Sequence, residues 1–350
     1  MTVTGYIMNF MRLRLLSALI PLLLLLALPL VSVRGVPGGG DLPIRNYLSY
    51  AAEGPPPFPV VERAARATRD RESTSAMIAF LTGHVTRFPM DQNNGYYLSI
   101  VGDLYRDQGG NDLARQYYRR ALLRYPDVHV RGVPTHQISI NRLLTVVEDP
   151  RERIEYLHYL QDHYRESIDR GLVAYYLARA YENAGRWSEA FESYRVFLAH
   201  PGTRIPGEPN ARNETQRRVA FYDSNRQWTH RDLESLVSAI TSALWAQNPA
   251  ALLRYRAGEN FFTMSWQQDE MDPNSDIPTF DIGAFLRRSR VRFSSDLELN
   301  SNANEAYLRT WGWSHRIPTW YLYFRRIDFP ADPDVHGNWE WGGILFGEAF

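Results

Sequence analysis

The sequence contains no cysteine and no lysine. Without cysteine the chain can form neither a disulfide framework nor a thiolate metal site, and it offers no cysteine nucleophile or lipidation site. All 39 basic residues are therefore arginine, and they are balanced by 39 acidic residues. Nucleic-acid binding needs a clustered basic face, for which this balanced charge gives no indication, so we expect no nucleic-acid partner.

A long apolar run near the N-terminus predicts an export signal. Arg12 and Arg14 precede residues 15–33 (LLSALIPLLLLLALPLVSV), which carry no charge. A positive flank before a long apolar core is typical of such signals, and the run approaches the ~20 residues that a membrane-spanning helix needs. Residues 1–34 are predicted to be a signal peptide or a single transmembrane anchor, and the length favours the anchor. Either way the bulk of the chain is expected outside the cytoplasm, anchored in the cytoplasmic membrane or free in the periplasm.

Residues 35–62 have the composition of a flexible tether. Three consecutive glycines occupy 38–40, and Gly54 is followed by three prolines at 55–57. Such a stretch is first flexible and then stiff and extended, and it cannot support a core.

Two segments of the middle region share one pattern of small and aromatic residues. In residues 95–128 the pattern consists of Leu98, Gly102, Tyr105, Gly109, Gly110, Ala114, Tyr118 and Ala121. In residues 171–203 the matching places belong to Ala178, Tyr181, Gly185, Ala190, Tyr194 and Phe197. Each set predicts two helices that meet at a glycine turn. The spacing resembles the tetratricopeptide repeat, and with two weaker helical segments the resemblance covers about 65–205.

This resemblance implies an all-α solenoid of helical repeats over residues 63–205, with a concave binding surface. In the family, exposed positions of each first helix line that surface. The matching positions here are Tyr96, Ser99, Asp103, Arg106, Leu172, Tyr175, Arg179 and Asn183. The implied partner is a protein or peptide, which would belong to the cell envelope if the chain is exported; the chain's own C-terminal domain is an alternative occupant.

Residues 206–228 are polar and are predicted to be a linker, and 229–350 to form an α+β domain. The patterns predict two helices, a strand, a third helix and four further strands, one of them RVRFSSDLEL, in a curved antiparallel sheet. This order resembles the nuclear-transport-factor-two-like (polyketide-cyclase-like) cone fold, whose members often carry a pocket between sheet and helices. Candidate wall residues for such a pocket are Tyr255, Phe262, Trp266, Trp311, Trp313 and Trp320.

Catalytic chemistry is not indicated. The sequence has no Gly-x-Ser-x-Gly elbow, phosphate-binding loop or His-Glu-x-x-His helix. Asp272, Asn274 and Asp276 have the first spacing of a calcium loop, but the required later glycine and glutamate are missing. The remaining candidates, which lie in turns or on a polar strand face, are His315, His336, Asp296, Glu298 and Arg309. We therefore expect neither enzymatic activity nor a cofactor nor a metal.

Three functional hypotheses follow from the sequence. The first is an exported, membrane-tethered scaffold or adaptor that binds protein partners through the repeat groove. The second is a C-terminal cone that binds or transforms a small molecule and is positioned by the solenoid. The third is a solenoid that packs on the C-terminal domain and leaves no free groove.

Overall fold

The computed structural model describes residues 42–265, 281–314 and 317–347. The chain divides into two compact units, Met1–Met77 and Ile78–Phe350, and the third helix contains the division. The helices are α1 (Leu42–Glu53), α2 (Phe58–Arg71), α3 (Thr74–Arg87), α4 (Asn94–Asp107), α5 (Asn111–Arg124), α6 (Thr135–Val146), α7 (Pro150–His163), α8 (Arg170–Asn183), α9 (Trp187–Leu198), α10 (Ala211–Asp223), α11 (Leu233–Trp245), α12 (Pro249–Arg254) and α13 (Ile282–Arg288). The strands are β1 (His129–Val130), β2 (Val133–Pro134), β3 (Phe262–Ser265), β4 (Arg292–Phe293), β5 (Glu305–Trp311), β6 (Thr319–Arg326) and β7 (Trp339–Phe346).

In the first unit, α1 and α2 pack on each other where the sequence predicts a tether. Tyr47 and Ala51 are buried on α1, and Val61 and Ala64 are buried on α2. The prolines at 55–57 separate the two helices, since proline favours extended backbone in the residue before it. The tether prediction is therefore wrong for residues 42–62, and residues 35–41 lie outside the described part of the chain.

The helical repeats predicted from the sequence are confirmed in the second unit. Helices α4 and α5 form one hairpin, α6 and α7 a second, and α8 and α9 a third. In the first hairpin a Cβ atom on Gly102 would lie 2.3 Å from the Tyr118 ring, so only glycine permits this approach of α4 to α5. The turns at Gly109 (φ +80°) and Gly185 (φ +70°) adopt the left-handed backbone that glycine favours.

The polar segment 206–228 is not an irregular linker, because it contains α10. Ala211, Thr215, Val219 and Phe221 are buried along one face of that helix. Arg212 donates hydrogen bonds to the Leu198 and His200 carbonyls and so caps the C-terminus of α9. The exposed face of α10 carries most of the polar residues, which explains why composition alone suggested a linker.

Within the described residues the C-terminal sheet has five strands, in the order β3-β7-β6-β5-β4. The predicted order of helices and strands is the observed one, but the sheet is mixed, because β3 pairs with β7 in parallel. The predicted strand RVRFSSDLEL is reduced to Arg292–Phe293. Beyond it, the Ser294 hydroxyl accepts a bond from the Asp296 amide and the Ser295 hydroxyl donates to the Asp296 carboxylate. These local bonds compete with regular strand pairing.

One face of the sheet is covered by α11, α12 and α13. Leu236 and Ile240 of α11 and Leu286 of α13 pack against Leu322 and Trp341. The rings of Trp313 and Trp320 stack with centroids 4.8 Å apart in the same core. The space between sheet and helices is thus filled by large aromatic side chains.

The predicted fold class needs one correction at its N-terminal end. None of the helices within the described ranges is both long and apolar enough to cross a membrane. The apolar run at 15–33, on which the prediction of a transmembrane helix rested, lies outside the described residues. The described fold is a helical-repeat region followed by a mixed sheet with helices on one face.

Candidate functional site

A cavity of about 930 Å³ lies between the last repeat and the C-terminal sheet. Both walls belong to the second unit. The solenoid wall comes from the end of α8, the start of α9 and the exposed side of α10. The sheet wall comes from residues 260–264 at β3, the end of β6 with the loop that follows it, and Glu340 of β7.

The repeat and the sheet domain share an apolar core beside this cavity. Phe329, in the loop after β6, packs against Phe191 of α9 and Phe221 of α10, with a ring distance of 4.9 Å to Phe221. Arg226 donates to the Tyr222 carbonyl at 2.7 Å and forms an ion pair with Asp332 at 3.3 Å. The solenoid therefore packs on the C-terminal domain, as the third hypothesis states. An open cavity nevertheless remains between them.

Glu340 forms the polar floor of the cavity. Its side chain is almost fully buried, and it accepts hydrogen bonds from the Trp228 indole at 2.6 Å and from Arg325 at 2.7 Å. A buried carboxylate is tolerated when charged and polar donors satisfy both of its oxygens. Arg325 also donates to the Asn260 carbonyl at 3.3 Å, and this bond ties the floor to the segment that enters β3.

The solenoid wall of the cavity carries charged groups of both signs. Glu182 accepts hydrogen bonds from the Tyr194 hydroxyl and from Arg218, so these charges are already engaged. Burial raises the pKa of Tyr194, with a further increase from Glu182. Arg217 is exposed on α10 and lines the cavity, and it makes no hydrogen bond or ion pair with any residue that the structure describes. Its guanidinium is the wall group most available to an incoming acidic side chain.

Two predicted groove residues are buried, and their assignment to an exposed surface is wrong. Ser99 lies between α4 and α6, where its hydroxyl oxygen is 2.9 Å from that of Ser139. Tyr175 packs against Phe197 and donates from its hydroxyl to Glu208 at 2.5 Å. Burial raises the pKa of Tyr175 to about 12, and the bond to Glu208 contributes in the same direction. Ser99 thus contacts α6 from α4, and Tyr175 contacts α9 from α8.

The remaining groove candidates differ in what they contact. Asp103 accepts from the Tyr118 hydroxyl at 2.9 Å and pairs with Arg142 at 2.6 Å and Arg106 at 3.4 Å. Burial raises the pKa of Asp103, although these partners act in the opposite direction. Tyr96 and Leu172 are half-buried, whereas Arg179 and Asn183 are exposed, and Asn183 lines the cavity.

The predicted cone pocket is not formed by the residues proposed for it. Trp313 and Trp320 are buried in the core, and Tyr255 is half-buried against that core. Trp311 lies on β5 with 37% of its surface exposed. Phe262 lines the cavity between the last repeat and the C-terminal sheet. Trp266, His315 and the calcium-like segment from Asp272 to Asp276 lie outside the described residues.

Sequence reasoning missed Glu340, Arg217 and β3 as parts of one site. A single carboxylate inside the otherwise apolar strand WEWGGILF is the signal that could have identified Glu340 as a buried, paired acid. Nothing in the sequence indicates that α10 and β3 line the same cavity. Within the described ranges no group of three or more histidine, aspartate or glutamate side chains is placed to hold a metal ion.

Comparison with known families agrees with the geometry of the last repeat. Residues 173–202 match the tetratricopeptide repeat family. The match covers most of α8 and all of α9, the hairpin that forms part of the cavity wall. It ends before the sheet domain, for which the cone resemblance stays a prediction. No curated protein matches the chain.

Proposed function

We propose that the protein is an interaction scaffold that binds a peptide segment of a partner protein in the cavity between its last repeat and its sheet. The tetratricopeptide repeat itself suggests a role in protein–protein interaction. The observation that supports this location is the open cavity against the matched hairpin, with Asn183 and Arg217 exposed in it.

The lining supports a peptide as the occupant. Its walls combine aromatic side chains such as Trp187 and Phe262 with arginines such as Arg217, and interfaces are enriched in both types. A small-molecule site of the predicted cone type would need free space between the sheet and α11–α13. That space is occupied by Trp313, Trp320 and their neighbours. No constellation in the lining supports a catalytic role.

Binding in this cavity can be tested with peptides selected from a random dodecapeptide phage library on the full-length protein. We expect Arg217→Glu to weaken binding of the selected peptides by about tenfold, the size of one charge-assisted hydrogen bond lost. Asn183→Trp, which fills the cavity from an exposed position, is expected to weaken it at least as much.

Arg120→Glu provides the matched control, because Arg120 is also an exposed arginine within a helix but does not line the cavity. Fluorescence anisotropy with labelled peptides would measure each affinity. Equal affinity for the wild-type protein and the Asn183→Trp variant would exclude this cavity as the binding site, as would failure to select any peptide.

We also propose export of the chain, so that its partner is a protein of the cell envelope. The support is the positive flank and apolar run of residues 1–34. Fusion of residues 1–41 to a reporter enzyme that is active only outside the cytoplasm should give activity in a bacterial host. A matched fusion that lacks residues 15–33 should be inactive, and equal activity of the two fusions would contradict export.

A further inference from the structure

We infer that the cavity binds its peptide as an additional strand, which pairs with the outer edge of β3 and extends the five-stranded sheet to six. This inference rests on the proposed function and specifies the conformation of the partner segment. The occupant is an extended segment of a partner protein, recognised through its main chain as well as its side chains.

The first argument is the position of β3 in the sheet. It is the terminal strand in the order β3-β7-β6-β5-β4, and among the residues that the structure describes it pairs along one edge only, with β7. Residues 260–264 all line the cavity, with no residue skipped. Successive side chains of a strand point to opposite faces. Residues of both faces of β3 therefore line the cavity, which fits a cavity that borders the edge of this strand.

The second argument concerns the main-chain hydrogen-bonding groups of this edge. In a parallel pair, alternate residues direct their N–H and C=O groups towards the neighbouring strand, and the others direct them outwards. Apart from the pairing with β7, residues 262–264 make no main-chain hydrogen bond to any residue that the structure describes. An edge of this kind is a ready template for another strand.

The third argument is that β3 is held in place before a partner binds. The Phe262 ring occupies the space over Gly343, where a Cβ atom would lie only 2.8 Å from it. Phe261 contacts Trp341 edge to face at 5.3 Å, and Arg325 donates to the Asn260 carbonyl. Little ordering of the acceptor strand is then required on binding, which favours affinity.

The solenoid wall adds side-chain selectivity. Arg217 and Trp187 lie on that wall of the same cavity. A strand bound on β3 would present every second side chain towards one face of the sheet. We therefore expect every second residue of the selected peptides to be acidic, aromatic or aliphatic, because these are the side chains that would face Arg217 and Trp187.

A scan of backbone N-methyl groups tests this inference without altering the protein. Peptides selected on the full-length protein from the random dodecapeptide library would be resynthesised with one N-methyl group at each successive amide. If the peptide pairs with β3, methylation should weaken binding about tenfold or more at alternate amides over roughly four residues, because those N–H groups donate to β3. The intervening amides should tolerate the change.

The two proposals fail in different ways. Suppose that the peptides bind the wild-type protein and no longer bind the Asn183→Trp variant, but that the effect of N-methylation does not alternate along the peptide. This result would overturn strand addition and leave the proposal of peptide binding in the cavity intact. Peptides unaffected by Asn183→Trp, or no selected peptides at all, would overturn the cavity proposal and this inference together. As a second readout, hydrogen exchange at the outward-facing main-chain amides of β3 should slow in the complex, and unchanged exchange would contradict pairing.

Discussion

Replacement of Glu340 by alanine is expected to lower the free energy of unfolding by about 3 kcal/mol, the lower end of the range for breaking a buried ion pair. The substitution leaves the Trp228 indole N–H without its acceptor and Arg325 without its carboxylate partner. Arg325 remains 26% exposed, so water can replace part of the lost interaction, and the loss should not reach the upper end of that range.

Chemical denaturation of the full-length chain would measure this loss, with Asp328→Ala as the control. Asp328 also lines the cavity, but 90% of its side chain is exposed, so its removal should change stability by less than about 0.5 kcal/mol. Glu340→Gln should fall between the two, since the amide oxygen can still accept from Trp228 but the charge is lost. A Glu340→Ala variant as stable as Asp328→Ala would show that the Trp228–Glu340–Arg325 contacts do not hold the sheet to the segment after α10.

The features that could be predicted from the sequence are those determined by residues close in the chain. Gly102 and Tyr118 are 16 residues apart and both belong to the repeat pattern, and the structure places them opposite each other within one hairpin. Helices α11 and α12 could be predicted from local patterns, and the structure shows that the Asp232 and Asn248 side chains accept main-chain hydrogen bonds at their first turns. Helix caps of this kind involve residues within one turn of each other, so they can be recognised without knowledge of the tertiary structure.

The site depended on contacts that no local pattern records. Tyr175 occupies a position that is exposed in the family pattern, yet here it is covered by contacts with Phe197 and Glu208. Helix α10 has a polar composition because only one of its faces is buried. The parallel pairing of β3 with β7 joins segments some 80 residues apart, and periodicity predicts a strand but not its neighbour.

The buried aromatic residues show why the predicted pocket was wrong. Alternating tryptophans and tyrosines on strands can form the wall of a pocket or fill a core, and the sequence pattern is the same in both cases. Trp313 donates from its indole to the Thr310 hydroxyl at 2.7 Å, and its ring stacks on Trp320. This satisfied polar group and close stacking belong to core packing. The open cavity lies instead between the last repeat and the C-terminal sheet.

Gly102→Ala and Gly83→Ala are expected to change stability in opposite directions, although the substitution is the same and both glycines lie inside helices. A Cβ atom at position 102 would lie 2.3 Å from the Tyr118 ring, and that ring is fully buried and bonded to Asp103. Overpacking of this kind costs about 1–3 kcal/mol. An approach this close belongs in the upper half of that range, and alanine favours a helix by up to about 1 kcal/mol over glycine, so we expect a net loss of about 1–2 kcal/mol.

A Cβ atom at Gly83 of α3 meets no atom within 4 Å, so Gly83→Ala should gain about 0.5–1 kcal/mol through its helix preference alone. Equilibrium denaturation of both variants under one set of conditions measures the difference directly. Because the intrinsic preference contributes equally to both, the gap between them reports only the contact of α4 with α5 at Tyr118. The double variant Gly102→Ala, Tyr118→Leu should recover part of the loss, since leucine has no ring to meet the new methyl group. Equal gains in stability for the two single variants would mean that the hairpin of the first repeat does not pack through Gly102.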